Sequence, residues 1–394
     1  MNKLKIIIFE GSLQPPVFIN RLMDGLAKEG HDIYLLHFGT TSISPQKNLH
    51  YISLGSSKNN FHLILQSLRY AYETGIKEVI NTSKKITEGN RENLQKRNLK
   101  IILDKIQPDL IHVQWPSLLN TLVEVLNERK YPVVLSQRGY QINVKPFVDH
   151  TYFKKLATIL PKLSGFHSVS KAISLRGDSI WNSSAKNDEV IYTGLDLEDF
   201  SFRENYFKNK KLKFLSVGRP HWKKGLHDAI HACAILLKKN IEFEYVIVGG
   251  IGNEEILFLT NFYKLEKSVK ILGKLSKKEV YELMSGSDLL IVSSIEEGIP
   301  NVLVEAMALG VPVVSTACGG VEELIEHDKL GWVVPSRNPE ALAAQIEKFI
   351  SLPDHSIEIV RRAARLKVEK QHSYERMLKG MESLYRKTIG RTEI

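Results

Sequence analysis

The sequence predicts an α/β protein built of two parallel-sheet domains in tandem. Apolar runs of strand length alternate with segments of helical period along nearly the whole chain. The alternation lapses at a polar, lysine-rich stretch, Arg203–Lys213, and then starts again. With 394 residues, the chain is also too long for one ordinary core. Strands separated by helices pair in parallel through crossovers, which covers both faces of each sheet with helices. The expected units are residues 1–203, residues 204–373, and a last helical segment, 374–394, that packs back on the first unit. Such sheets bind ligands outside the carboxyl ends of their strands, so a cleft between the two units is expected to hold the site.

In the first unit, Lys5–Phe9 is a strand, and Val17–Glu29 is a helix stopped by Gly30. Asp32–Phe38 is the next strand. Asn60–Lys105 is mostly helical, with breaks near Gly75 and Gly89. Leu110–Val113, Pro132–Leu135, Gly165–Val169 and Glu189–Ile191 are strands. Helices lie between them at Ser117–Arg129, Thr151–Leu163 and Ser170–Trp181, the last with Ser170 as its N-cap. The second unit has strands at Lys213–Val217, Phe243–Val248, Val269–Leu272, Asp288–Val292, Val313–Ser315 and Gly331–Val334. Its helices are Leu226–Lys239, Glu254–Leu265, Lys277–Ser285, Val302–Leu309, Gly320–Glu326, Pro339–Ser351 and His355–Gln371. A final helix runs from about Tyr374 to Thr388.

Composition narrows the function classes. Hydrophobic content of 43% and charged content of 25% are ordinary for a globular protein. The two cysteines, Cys233 and Cys318, imply a reducing compartment and no disulfide framework. No run of about 18 apolar residues is present. The first apolar run is broken at Glu10, too early for a secretory signal, so a cytoplasmic location is expected. The net charge of +10 suits anionic substrates or an anionic membrane surface. No zinc-ligand spacing, aromatic RNA motif or basic tail points to nucleic acid. Between Lys77 and Lys105 eight basic residues stand against four acidic ones. That is either a solvated helix face or a peripheral dock on the inner face of a membrane.

The most informative segment is Glu296-Glu297-Gly298-Ile299-Pro300-Asn301-Val302-Leu303-Val304-Glu305-Ala306. It is a strand-to-helix junction with one carboxylate just before the helix and another inside it. Free amides at Ile299 to Val302 would suit a phosphate. Carboxylates beside an anion are unfavourable unless they accept from neutral hydroxyls, which sugars and riboses supply. The pattern therefore suggests a sugar nucleotide; a solvated loop Glu and a helix-surface Glu remain the plain alternative. A second junction, Ser216-Val217-Gly218-Arg219-Pro220-His221-Trp222-Lys223-Lys224-Gly225, brings Arg219 and Lys224 to the carboxyl side of a strand. Arg offers a fork to phosphate oxygens and Lys a mobile point charge. A third junction, Val313 to Leu324, carries Gly319-Gly320 and reads most simply as a tight connection. Cys318 has no base nearby in sequence, so a nucleophilic role is not expected.

Together these segments resemble the family 4 retaining glycosyltransferases, whose fold, called GT-B, has two Rossmann-like domains. The resemblance is densest from Ser216 to Val334. Glu297 and Glu305 match the two-glutamate motif, and Gly218-Arg219 with Lys224-Gly225 match the diphosphate-binding pair. Gly310-Val311-Pro312-Val313-Val314 and Gly319-Gly320 match later turns, and Val190 to Phe200 looks like the segment leading to the interdomain linker. The resemblance implies that the second domain binds a nucleoside-diphosphate sugar, UDP- or GDP-linked. Arg219 and Lys224 would neutralise the diphosphate, Glu305 would accept the ribose hydroxyls, and Glu297 would hold the donor sugar. The backbone of Gly298, Ile299, Pro300, Asn301 and Val302 would contribute contacts. No metal and no further cofactor is implied, and no Asp-x-Asp motif is present.

The first domain would bind the acceptor, and there this chain departs from the pattern. Its first loop, Glu10-Gly11-Ser12-Leu13-Gln14-Pro15-Pro16, has one glycine where the family often has a pair; Gly11 and Ser12 are the candidates there. Arg138, in Ser136-Gln137-Arg138-Gly139, stands where many members have a histidine. A guanidinium can hold sugar or phosphate but is no base at neutral pH. His112, at the end of another strand, is a second acceptor-side candidate, with a structural histidine as the alternative. The reading is a metal-independent retaining transferase that extends a glycan or lipid-linked acceptor in bacterial cell-surface polysaccharide biosynthesis. The alternatives are a non-catalytic sugar-nucleotide or glycan-binding subunit, and another GT-B enzyme such as a sugar-nucleotide epimerase.

Overall fold

The computed structural model describes residues 3–40 and 46–390. The chain forms two compact units, each around one parallel sheet.

Unit 1 takes the chain up to Val169, Ser174–Ile191 and the chain from Leu378 on. Its strands are β1 (Lys5–Gly11), β2 (Asp32–His37), β3 (Leu49–Ser53), β4 (Leu110–Val113), β5 (Val133–Gln137), β6 (Gly165–Ser168) and β7 (Asp188–Val190). They lie in the order β3-β2-β1-β4-β5-β6-β7, all parallel. β3 has no counterpart in the sequence reading. Of its five residues only Leu49 is buried, so it lacks the continuous apolar run of the inner strands. The long helical region resolves into three helices, Asn60–Thr74, Ile76–Thr87 and Arg91–Ile106, which meet at Gly75 and in the turn Glu88–Asn90. Ser117–Arg129 is a 3-10 stretch, Pro116–Leu122, running into a short α-helix, Val123–Glu128.

The last helix, Tyr374–Gly390, is tied into unit 1 from Leu378 onward. Met381, Leu384 and Tyr385 on it are buried. The Tyr385 hydroxyl reaches His112 Nδ1 at 2.7 Å, and Thr388 Oγ1 accepts from Asn187 Nδ2 at 3.0 Å. Leu4 N donates to His31 Nδ1, which leaves His31 Nε2–H to donate to Glu382 at 2.7 Å.

Unit 2 takes Ser170–Ile173 and Tyr192–Met377. Its strands are β8 (Leu212–Val217), β9 (Phe243–Val248), β10 (Val269–Leu272), β11 (Leu289–Val292), β12 (Val313–Thr316) and β13 (Trp332–Val334), in the parallel order β10-β9-β8-β11-β12-β13. Alternate residues of each strand feed two cores. Phe214, Tyr245, Ile291 and Val314 belong to one, while Leu215, Val246, Leu290 and Val313 belong to the other. Burial on both faces is why these strands read as unbroken apolar runs.

The division falls at Ile191/Tyr192, ahead of the polar stretch expected to carry it. The cause lies in residues 195–209, which are fastened to unit 2. Leu195 and Phe200 enter one of its cores, and Tyr206 the other. The fully buried Asp288 accepts from Asn209 N, Asn209 Nδ2 and Lys213 N. The buried Arg361 donates to the carbonyls of Gly310, Arg203 and Glu204. Polarity in this stretch therefore marks an anchored segment.

In both sheets the strand order reverses beside the first strand. β1 lies between β2 and β4, and β8 lies between β9 and β11. Loops diverge there to opposite faces and leave a crevice at the carboxyl ends of the strands.

Candidate functional site

In unit 2 the loops at this reversal are those after β8 and β11, the two that carry the expected charges. They are interlocked through backbone. Ile295 N donates to Lys223 O at 2.7 Å, and Ser293 Oγ donates to Lys224 O at 3.0 Å. Gly225 (φ +58°) packs so closely that a Cβ would overlap the Ser293 carbonyl oxygen. The loop after β12 joins them: Gly320 N donates to Gly298 O at 2.5 Å, and a Cβ on Gly319 (φ +53°) would overlap the Glu297 carbonyl oxygen. These contacts hold Lys224 and Glu297 on a rigid frame.

Lys224 Nζ lies 2.6 Å from Glu297 Oε1, with the two side chains 23% and 12% exposed. The approach is off the hydrogen-bond direction, and Glu297 Oε1 has no hydrogen bond of its own. Arg219 is exposed and forms no ion pair among the described residues. The helix Asn301–Leu309 starts at Pro300 without a side-chain cap, so no side chain claims its first amides. Glu305 is half-buried on this helix and accepts from the Tyr281 hydroxyl at 3.2 Å. Gly218, Arg219, Lys224, Glu297 and the segment Gly298–Val302 thus meet at one edge of the sheet, with Glu305 on the helix that follows. An exposed cation, a second cation held by a carboxylate, and an uncapped helix start can receive a dianion, with two carboxylates left for hydroxyls.

The third junction has a structural task that its sequence did not announce. Glu323 accepts from the Lys171 and Ala172 amides, at the start of the helix Lys171–Asp178, and from the Tyr192 hydroxyl. Burial pushes the Cys318 thiol up to about 12 and raises Cys233 further, so neither is a thiolate at neutral pH. Among the described residues no three His, Cys, Asp or Glu side chains gather as a metal-binding group.

In unit 1 the corresponding edge carries Glu10, Gly11, Ser12, Gln114, Trp115 and Arg138. Gly11 (φ +86°) ends β1. Ser12 N and Trp115 Nε1 donate to the buried Glu10 carboxylate at 2.5 and 3.2 Å. Burial raises the Glu10 pKa, and these two hydrogen bonds partly offset that rise. Sequence reading passed over Glu10, Gln114 and Trp115, although each sits at or just beyond the end of β1 or β4.

His112 is placed differently from the expectation. It is fully buried, with Nδ1 2.7 Å from the Tyr385 hydroxyl and Nε2 2.8 Å from Ser136 Oγ. Ser136 Oγ also lies 2.9 Å from His167 Nδ1, whose other nitrogen meets the Ile191 carbonyl at 2.9 Å. That carbonyl only accepts, which fixes the whole chain. His167 Nε2–H donates to Ile191, Ser136 donates to His167, His112 Nε2–H donates to Ser136, and Tyr385 donates to His112. Desolvation lowers the His167 pKa to about 3 and takes His112 well below its ordinary value. Both rings are neutral and fully engaged, so His112 serves as a core strut and is closed to an acceptor.

Two family models match the chain. Residues 198–366 match the glycosyl transferases group 1 model, and residues 12–164 match the glycosyl transferase 4-like model. The amylovoran biosynthesis glycosyltransferase AmsK of Erwinia amylovora is 36% identical over 212 residues, which are 51% of this chain and 52% of AmsK. The chain spans about half the length of the curated relatives it matches at this identity. The capsular polysaccharide biosynthesis glycosyltransferase CapM of Staphylococcus aureus is 24% identical over 318 residues, covering 75% of this chain and 81% of CapM. Among solved structures, a Rickettsia africae glycosyltransferase aligns with a TM-score of 0.74 at 20% identity, over 99% of both chains. Anabaena HepE in complex with UDP-glucose aligns with a TM-score of 0.72 at 17% identity, over 97% of this chain and 100% of that one. These likenesses give the fold as that of GT-B glycosyltransferases.

Proposed function

From a chain built of two glycosyltransferase domains, we propose a transferase that moves a sugar from a nucleoside-diphosphate sugar to a glycan or lipid-linked acceptor in bacterial polysaccharide biosynthesis. The observation that carries this reading is the Lys224–Glu297 contact at the uncapped helix start beside the exposed Arg219. Arg219 and Lys224 take the diphosphate, whose charge grows as the bond to the sugar breaks; stabilising that charge lowers the barrier. A diphosphate competes with Glu297 for the Lys224 ammonium and frees the carboxylate for sugar hydroxyls. Glu305, already a hydrogen-bond acceptor for Tyr281, receives the ribose hydroxyls, and the Gly298–Val302 backbone completes the donor site. In unit 1, Gly11 and Ser12 are the proposed sugar-nucleotide contacts and Arg138 the proposed acceptor contact.

Retention at the anomeric carbon follows from the family 4 resemblance. Metal independence follows from the two cations, which supply the charge a divalent ion otherwise would. The names of AmsK and CapM support a polysaccharide acceptor, and the UDP-glucose complex of HepE supports UDP as the donor base, with GDP as the alternative.

A contact with an anionic membrane also belongs to this reading, centred nearer the start of the helical region than residues 77–105. Five of the eight cations there are ion-paired: Lys85 with Glu88, Lys96 with Glu92, Arg97 with Glu78, Lys100 with Glu128 and Lys105 with Glu73. Arg91 is bound to Asn60 and the Ser57 carbonyl. The exposed apolar residues cluster before and at the start of that segment: Phe61, Leu65 and Tyr72 on one face of the helix Asn60–Thr74, and Ile76 and Ile80 on the helix Ile76–Thr87, beside Lys77 and Lys84. This stripe is the proposed contact. Among the described residues no helix is long and apolar enough to cross a membrane.

The donor reading is tested by thermal shift with UDP, GDP, ADP and their sugars, since a ligand at a hundred times its Kd adds about 2.7 kcal/mol. Lys224→Ala and Glu297→Ala should then lower kcat about 100- to 1000-fold in a folded protein. EDTA should leave transfer intact. Full transfer by either variant overturns the site, and a loss on EDTA that magnesium restores overturns the metal-free mechanism.

A further inference from the structure

Arg138 is a cation without a counter-ion. It sits in the turn after β5, and its guanidinium is bound only to neutral groups. Nη2 donates to Gln114 Oε1 at 3.1 Å and to Ser136 Oγ at 3.2 Å, and the plane lies 4.6 Å from the centre of the Phe18 ring. Its Nε is shielded from solvent and has no partner. Gln114 is fully buried, and its Nε2 is a second donor without an acceptor. No Asp or Glu pairs with Arg138 among the described residues; the Glu10 carboxylate, on the same sheet edge, accepts from Ser12 N and Trp115 Nε1.

The ionisable groups that feel its charge are His112, His167 and Tyr385. Both histidines are held neutral, and the positive charge of Arg138 helps lower their pKa values. Desolvation brings the Arg138 pKa itself down to about 9, with no carboxylate to oppose the shift. Ordinary ion-pair architecture supplies a buried guanidinium with a partner, because the unpaired charge costs several kcal/mol. Here the fold assembles a cation shielded from solvent at Nε, two donors lacking acceptors, and an aromatic face, at the carboxyl edge of β4 and β5, and among the described residues no carboxylate pairs with them.

The geometry points to an anion-binding site at Arg138 and Gln114 that takes an acidic group of the acceptor, either a phosphate or a sugar carboxylate. This rests on the transferase reading above and adds a substrate class to it. Arg138 meets the acid with its charge and with Nη1, since both Nη2 hydrogens are given to Gln114 and Ser136. Gln114 Nε2 supplies a further hydrogen bond. Arg138 is then a specificity-determining residue: a neutral acceptor leaves its charge and both donors unsatisfied, so acidic acceptors are selected.

The test uses the full chain as wild type, Arg138→Gln, Arg138→Lys, and Arg219→Ala/Lys224→Ala, with inorganic phosphate, glucuronate and neutral glucose as probes in calorimetry and thermal shift. At least one anionic probe should bind the wild type and the Arg219→Ala/Lys224→Ala protein alike. Its affinity should fall at least tenfold in Arg138→Gln and less in Arg138→Lys, and glucose should not compete. Phosphate as the better probe assigns the site to a phosphorylated carrier, and glucuronate to an acidic sugar. Arg138→Gln should be as stable as the wild type or more so, because it removes an uncompensated charge. The inference is overturned if neither anion binds, if Arg138→Gln binds as well as the wild type, or if Arg138→Gln unfolds and so reveals a structural cation. The donor reading fails separately, on loss of nucleotide binding to the wild type.

Discussion

At the residue scale, the last helix meets the sheet of unit 1 through single hydrogen bonds whose donors and acceptors can be assigned. Tyr385 and His112, 273 residues apart, share one at 2.7 Å in a fully buried setting. Tyr385→Phe removes the donor to His112 Nδ1 and leaves a buried acceptor unmade, which costs about 1–3 kcal/mol. The urea midpoint of unfolding should fall accordingly; an unchanged midpoint would mean that His112 finds its hydrogen bond elsewhere. The same distance in sequence explains why His112 looked like a ligand residue. A histidine ending a strand next to a crevice reads as functional, and only the folded chain brings Tyr385 to it. The placement of Lys224, Glu297 and Glu305 at two strand-to-helix junctions was legible because the turn, the helix start and their spacing are local.

At the element scale, the helices Asn60–Thr74 and Ile76–Thr87 present an apolar stripe to solvent. Ile76 is 82% exposed and Ile80 is 54% exposed. Inserting such a side chain into a bilayer interface is worth about 2 kcal/mol, and each 1.4 kcal/mol is about tenfold in partition. Ile76→Glu/Ile80→Glu should therefore reduce sedimentation with phosphatidylglycerol vesicles by at least about tenfold. Lys100→Glu, on the paired face, should leave it nearly unchanged; equal losses in both would assign binding to diffuse charge. Strand elements were easier to read than their limits. Each inner strand is buried on both faces and announces itself as an apolar run, whereas the edge strand β3, with sequence Leu49-His50-Tyr51-Ile52-Ser53, does not.

At the scale of the whole molecule, four buried histidines make stability depend on pH. Desolvation lowers His37 and His372 to about 4 and His167 to about 3, and takes His112 well below its ordinary value. A histidine with a depressed folded pKa leaves the folded chain with fewer bound protons than the unfolded chain below about pH 6.5. Its contribution is complete above that value and is lost as pH falls toward the folded pKa. At pH 5, His167 alone should cost about 2 kcal/mol, from 1.4 kcal/mol per pH unit below 6.5. Denaturant midpoints should be level near pH 7.5 and should drop steeply by pH 5; a flat profile would show that these rings are protonated in the fold. The sequence by itself determined the two parallel sheets and the strand-to-helix junctions on which Arg219, Lys224, Glu297 and Glu305 stand, because strand, turn and helix signals are set by near neighbours. Only the tertiary structure decided which charges survive. Asp288 and Arg361 turned the polar stretch into an anchor, five ion pairs drew the charge from residues 77–105, and Arg138 was shielded from solvent at Nε with no acid paired to it among the described residues. A charge is cancelled by partners that folding brings from anywhere in the chain, and local sequence holds no record of them.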